Sequence, residues 1–599
     1  MIVRAVGALL AMIVGAVGTL LAMIGAMAAP PTSSTAAPTL VLSDPMALAA
    51  LEKNGLGVGA TGFKTAGAVS NADLAKDSAY LDVVYTLSAD LDELYKLDKA
   101  WGPGMRFTHR GFDKRWLTSK DARWELAAVV NRVDRKVFDA ATCGEVRFIY
   151  RLAYTTETKS GPFSSRIPAT LNVVYLLPNT DDAACKKAAE RFTRAIDASV
   201  ITGASLKSVE VDMQTARWPS TVRPDLGGHA DYVLRVFHAN ADRTHLKAAP
   251  LENTPDVDKL AKDPAARKEL AKFLADHVAD IDKGTLVVPE KFLATRAVSV
   301  TPRGLARPQN RPWSRLFGDG GASGDAGVGA GGAVADEFAS VYTAASSWTA
   351  DRKYILRRLD GLSCMGCHQS RSLAGFHVVG ADRAGGSVDA LAVGISPHLE
   401  EDLPRRAEYV KALLEGRATN ERRREPDHEI DRGTFGDSCA LSPSFSGWNC
   451  AAGFTCTAVD DADVGECMPV AASSGSACRT GVVDKRDRIT KSTEHACQDA
   501  GFCEDVPVGF PGGMCGAPCG TIKPGDHAAC GGVAVLTPFN QCLARGELFS
   551  TCAKHQTPVA LRACGPNDPC RPDYICAGGG VCLPPYFVLQ MRVDGHPLK

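Results

Sequence analysis

Apolar and polar positions change their spacing several times along this chain, and each change marks a different kind of structure. Between Arg147 and Tyr154, and again between Ala169 and Leu177, β-branched and aromatic residues alternate or cluster at strand spacing. Ser160-Gly161-Pro162 and Arg166-Ile167-Pro168 interrupt the pattern, so the two runs read as a hairpin with a long loop. Ser208–Asp212 and Tyr232–His238 are further strand segments. From Asp263 the period becomes helical. Asp263 suits the N-cap, Pro264 the first turn, and Gly284 the position past the end. Leu270, Phe273, Leu274, His277, Val278 and Ile281 then share one face, which makes His277 a packed core histidine rather than a ligand. Residues 46–309 are therefore expected to form an α+β domain.

Helical spacing returns after a Gly, Ala and Asp-rich stretch, 310–334, that reads as a flexible linker. Phe338, Val341, Tyr342 and Ala345 form one stripe, and Ile355, Leu359 and Leu362 a second. Pro404 opens a third helix, whose Ala407, Val410 and Leu414 line up before Gly416. Residues 335–420 thus read as a small, mainly α module. A charged linker, 421–438, separates it from the remainder.

Composition adds a compartment. The chain has 599 residues and a net charge of −1, so no global field points to nucleic acid. Arg4 precedes an uncharged run from Ala5 to Met27, and Ala26-Met27-Ala28 has the form of a signal cleavage site. Residues 1–28 are read as a secretory signal and 29–45 as a tether. The alternative is an uncleaved anchor, because the apolar run is nearly long enough to span a bilayer. Export makes the protein periplasmic, cell-surface or extracellular, where disulfides persist.

Sixteen of the 20 Cys lie between Cys439 and Cys582. They sort into four quartets, beginning at Cys439, Cys478, Cys519 and Cys564, within residues 439–585. The first and last share a phrase, Cys450 to Cys456 against Cys570 to Cys576, which marks an internal repeat. Such short modules use disulfides in place of a core, although each quartet could also hold a metal. They resemble EGF-like repeats in general style, with different spacing and count. The tail, 586–599, alternates apolar and polar residues from Tyr586 to Val593. Cys143 and Cys185 are the only thiols of the first domain and are expected to pair, stabilising it by about 4 kcal/mol.

Chemistry is concentrated in Cys364-Met365-Gly366-Cys367-His368. It is the only C-x-x-C in the chain, and a histidine follows it, although only 13 of the 599 residues are His. This run resembles the haem-attachment site of c-type cytochromes. The resemblance implies one haem c, thioether bonds from Cys364 and Cys367, and His368 as the proximal ligand of the iron. A helix before the motif and another closing the segment match the order of parts in small cytochrome c domains, over 335–420 alone. The pattern departs from many such domains in lacking a distal Met, since no Met lies between Gln369 and Cys467. The sixth ligand would then be His398 or His377, with His428, or a first-domain histidine such as His109, His229 or His238, as further choices. A five-coordinate iron is the remaining option. Arg371, Arg383, Arg405 and Arg406 could pair with haem propionates. Competing readings of the thiols are a plain or redox disulfide, and half of a zinc site with His368 and His377.

Two charged clusters complete the inventory. Asn131, Arg132, Asp134, Glu145 and Arg147 read as ion pairs tying a helix to a strand, with a binding cleft as the alternative. Arg106 to Arg110, with Lys114, Arg115 and Trp116, reads as a solvated face. No Ser-His-Asp order or paired-carboxylate signature is present. The function expected is electron transfer or redox sensing by an exported haem protein with an unidentified redox partner. A haem-free secreted binding or adhesion protein is the second reading, and a peroxidase-like haem enzyme the third.

Overall fold

The computed structural model describes residues 37–317 apart from 66–68, 101–111, 159–160, 182, 220–226 and 302–309. It also describes 338–344, 352–367, 378–380, 394–395 and 397–423, and short stretches between 438 and 583. The signal, the tether as far as residue 36, His368, His377 and the C-terminal tail lie outside the described residues, as does the 106–110 cluster.

An antiparallel sheet organises the first domain, giving the mixed α and β content expected. Its strands are β1 (Val41–Leu42), β2 (Ala122–Arg132), β3 (Thr142–Thr158), β4 (Gly161–Pro178), β5 (Ser205–Pro219), β6 (Gly227–Ala239), β7 (Leu246–Ala249) and β8 (Ala297–Thr301). They pair in sequence order from β1 to β7, and β8 also pairs with β6. The long loop expected between β3 and β4 is absent, because the ladder continues to Thr158 opposite Gly161. Pro162 lies inside β4, in a stretch that pairs only with β3, since β5 joins β4 from Ala169 onward. A proline there removes no ladder bond on the open side.

Side chains of a strand alternate between faces. Phe148, Tyr150 and Leu152 of β3 point into the main core, with Leu171 and Val173 of β4 and Val209 and Val211 of β5. That core is covered by α1 (Ser78–Ala100), through Tyr80, Val83, Leu87 and Leu91, and by α2 (Ala184–Glu190). Cys143, at the start of β3, is bonded to Cys185 of α2 across 42 positions, as the sequence leads one to expect. Gly144 follows with φ +83°, and a Cβ there would lie 2.4 Å from the Arg132 carbonyl oxygen. Only glycine lets the β2–β3 connection close this tightly.

A second core is helical. The stripe from Asp263 forms two helices, α3 (Pro264–Asp276) and α4 (Val278–Lys283). Asp263 accepts from Ala266 N at 3.0 Å as the N-cap, and Gly284 ends α4 at φ +74°. The break falls at His277, whose ring stacks on Phe273 while its Nδ1 donates to the Phe273 carbonyl at 2.8 Å. Leu270, Leu274 and Ile281 pack with Trp313 of α5 (Pro312–Phe317), Val341 of α6 (Ala339–Ala344) and Ile355 and Leu359 of α7 (Arg352–Leu362). Asp360 of α7 accepts from Trp313 N at 2.7 Å, and buried Arg358 donates to the Ile281 and Asp282 carbonyls at the end of α4. The expected 310–334 linker therefore opens as a buried helix, α5, and residues before and after the linker share one core.

Past α8 (Cys364–Cys367), a single turn, the chain returns to the sheet through α9 (Pro397–Glu415). This helix begins at Pro397 and carries Pro404 inside it, seven residues before the expected start at Pro404. His398 consequently sits in the first helical turn and not in a loop. Leu399 packs against Ala128, Val130 and Ile149, on the sheet face opposite the main core. Among the described residues, no helix is long and apolar enough to cross a membrane.

Candidate functional site: a charged cavity beside Cys364

The motif begins where four backbone and hydroxyl bonds fix it. Cys364 N donates to Thr254 Oγ1 at 3.0 Å and to the Glu252 carbonyl at 3.3 Å. Ser363 Oγ donates to the Asp360 carbonyl and accepts from Gly366 N at 2.9 Å. Met365 is buried beside Leu234, Leu251 and Ala297, and its carbonyl accepts from Ser299 Oγ at 3.2 Å. The turn is thereby clamped to β6 and β8 before Cys367 is reached.

Cys364 lines a cavity of about 310 Å³, at the small end of ligand pockets. Its lining is partly apolar, with Val130, Ile149, Leu234, Leu362 and Leu399, and partly cationic, with Arg132, Arg135, Arg147, Lys207, Arg406 and Arg423. Asn172 and Glu210 contribute from β4 and β5, and Glu252 and Asp402 from the connection after β7 and from α9. The amide of Asn172 donates to Glu210 at 2.7 Å, while its Oδ1, at the fully buried wall, has no donor among the described residues.

Glu145 anchors one charged group, 2% exposed. It accepts from Arg147 at 2.7 Å and Lys207 at 2.6 Å, and faces Arg135 Nε at 3.0 Å. Burial alone would raise its pKa, but those three cations outweigh burial and hold the carboxyl well below its usual range. Arg135 also contacts Glu252, whose carboxyl burial pushes up and Arg135 and Lys207 pull down, to about 2. The second group joins α9 to the turn after β2. Asp134 takes Arg132 at 2.9 Å and Arg405 at 2.8 Å, and Asp402 takes Arg405 and Arg406, each at 2.6 Å. Burial, followed by the charge of Arg406, pushes the Arg132 guanidinium down to about 9.

Both readings of the 131–147 cluster hold in part: the residues form buried ion pairs, and Arg132 and Arg147 also border the cavity. Asn131 does neither, because its Oδ1 accepts from Val133 N and shapes the turn. Arg405 is taken up by carboxylates, whereas Arg406 reaches the cavity. Of the expected cofactor residues, Cys364 lines the cavity, and Cys367 ends the turn that Cys364 begins. His398 is in the first turn of α9; His368, His377, Arg371 and Arg383 lie outside the described residues. His238 of β6 borders the same cavity as Cys364. Sequence reasoning missed Arg135, Lys207, Glu252 and Asn172. Arg135 directly follows Asp134 of the predicted cluster, but nothing local distinguishes Glu252 or Lys207 from surface residues.

In the C-terminal region, β9 (Ser438–Ala440), β10 (Phe454–Ala458) and β11 (Val464–Pro469) form a small sheet. Cys439 is bonded to Cys456, and Cys450 is also in a disulfide. The sulfurs of Cys439, Cys450 and Cys456 lie within 4.8 Å of one another, but oxidised in this way they offer no thiolates to a metal. Searches of family models, curated proteins and solved structures return no match to this chain.

Proposed function

We propose that this chain is an exported protein that carries one haem c on Cys364 and Cys367, with His368 as proximal ligand, and that it transfers or senses electrons at the cell envelope or outside the cell. One observation carries the reading: the only C-x-x-C-H of the sequence starts at the wall of a cavity lined by both apolar side chains and guanidiniums. The donor set suits one edge of the group: the apolar residues suit a pyrrole edge, the arginines suit the propionates, and the hydrogen bonds at Cys364 N, Gly366 N and the Met365 carbonyl hold the first thiol in place. Bound haem would supply one-electron chemistry at a potential set by its axial ligands. Among the described side chains, His238 is the imidazole that shares the cavity with Cys364, which makes it the first residue to replace in a search for the sixth ligand. The signal segment and the disulfides support an oxidising compartment. The organisation we propose is a sheet domain into which the haem segment is built, followed by four disulfide modules.

The test is covalent haem. Protein exported by a host with cytochrome c maturation should keep its Soret band after acid-acetone extraction, and the Cys364→Ala/Cys367→Ala variant should lose it. A wild-type protein without the band would end the haem reading and leave the second one, a secreted binding protein, which the Cys439–Cys456 disulfide favours independently. Cyanide or carbon monoxide binding would separate an open iron site from a closed one.

A further inference from the structure

The charges at the α9 end of the cavity do not balance. Three guanidiniums, Arg132, Arg405 and Arg406, share two carboxylates, Asp134 and Asp402. Arg132 and Arg406 are 7% and 6% exposed, so bulk water screens the surplus only weakly. Arg132 is bound at two points by Asp134. Arg406 donates only from Nε, to Asp402; its terminal nitrogens have no partner among the described residues, and its side chain lines the cavity. Leu399 lines it too, seven residues earlier on the same helix. Seven residues are two turns, so the two side chains share a face about 10 Å apart. Val130 and Ile149 extend the apolar surface around Leu399.

We infer that this cavity binds a carboxylate on a compact apolar body, the carboxylate on the fork of Arg406 beside Arg132 and the body against Leu399, Val130 and Ile149. A guanidinium takes a carboxylate through two parallel hydrogen bonds, and the added anion turns a three-to-two cluster into a balanced one. The volume admits a single aromatic ring or short acyl chain with its acid group. Such a carboxylate has two sources, a free organic acid or the propionate of a porphyrin held on Cys364. The site stands without the haem reading, because none of its parts belongs to the motif.

The probe is benzoate, with neutral benzamide as control, titrated calorimetrically into the full-length wild type and the Cys364→Ser/Cys367→Ser variant. A free-acid site binds benzoate in both proteins. A propionate site binds it in the Ser variant alone, and only if the wild type carries haem. In either case benzamide should bind at least about tenfold more weakly, and Arg406→Gln should weaken benzoate by about tenfold or more. Circular dichroism establishes that the variant is folded. Should Arg406→Gln not fold, Arg406→Lys keeps the charge and loses the fork, and a weakening of about threefold or more is expected. Benzoate binding no tighter than benzamide in both proteins, or unchanged affinity on replacing Arg406, overturns the inference. Neither result depends on whether a Soret band is present.

Discussion

Replacing Glu145 by Gln removes one negative charge from beneath three cations and leaves the shape of the side chain nearly unchanged. Arg135, Arg147 and Lys207 lie 3.0, 2.7 and 2.6 Å from its oxygens, and the carboxylate itself is almost entirely buried. Breaking a buried ion pair by removing one partner costs about 3–5 kcal/mol, because the other charge remains desolvated. Here three cations are left, Arg135 the most buried of them, so the upper part of that range, about 4–5 kcal/mol, is expected. Asp276→Asn provides the contrast. Its pair with Lys272 is exposed on both sides, and the cost should stay below about 0.5 kcal/mol. Equilibrium urea unfolding followed by the fluorescence of buried Trp116 and Trp124 reports on this sheet. The midpoint should fall with an unchanged slope. Acid adds a second signature. The folded carboxyl lies well below the unfolded value of 4.5, so wild-type stability is fully present above that pH and is lost as pH falls toward the folded value. The variant should lack this part of the acid limb. A loss under about 1 kcal/mol with an unaltered acid limb would refute the account of Glu145 as the keystone of the cationic wall.

Three other perturbations test separate parts of the molecule. Replacing Cys143 and Cys185 by Ser should cost about 4 kcal/mol, from the 42-residue separation they close, measured by the same urea titration. Glu52, which accepts from Leu126 N, has its pKa raised to about 7 by burial, so its stabilisation is complete below pH 4.5 and is lost as pH rises through about 7. Glu52→Gln should therefore exceed the wild type in thermal stability above pH 7, by up to about 3 kcal/mol, and the difference should vanish near pH 4; a difference independent of pH would count against it. In the first Cys quartet the first and third residues bond, while Cys456 lies opposite Cys467 in the ladder. Cys503 opposite Cys515, and Cys576 opposite Cys582, repeat that register. Peptide mapping should accordingly find Cys478 with Cys503 and Cys564 with Cys576; bonds between the facing pairs would contradict a shared connectivity.

Local patterns in the sequence carried the elements further than their arrangement. The strands around Arg147–Tyr154 and Ala169–Leu177 were legible because one face of each is continuously apolar and packs in the main core. Pro162 and Pro168 then misled, since a proline reads as a break whether or not its strand has a neighbour on that side. The Asp263 cap and Gly284 stop were legible as well, but Val278 continues the apolar stripe across the bend at His277 and conceals it. Pro404 suited a first helical turn, and Pro397, which does open α9, suited it equally. For the cavity, Arg132 and Glu145 stood out as charges in an apolar neighbourhood. Their meeting with Glu252, Asp402 and Arg406 spans more than 100 residues of chain, and periodicity within one chain has no means of recording it. The shared core of Leu274 and Ile355 crosses the Gly-rich stretch for the same reason.

The sequential strand order has a consequence for how the molecule is assembled. Neighbouring strands from β2 to β7 also follow one another closely in the chain, so that part of the sheet can zip up with short loop closures, while β1 joins β2 only across the long helical stretch between Leu42 and Ala122. The cavity keeps a later schedule. Its floor is complete by residue 301, the thiol at 364 arrives next, and the helix bearing Arg406 comes last. In a chain emerging N-terminus first, the site is for a time an open trough, so a bulky guest can be laid in sideways before the final wall descends.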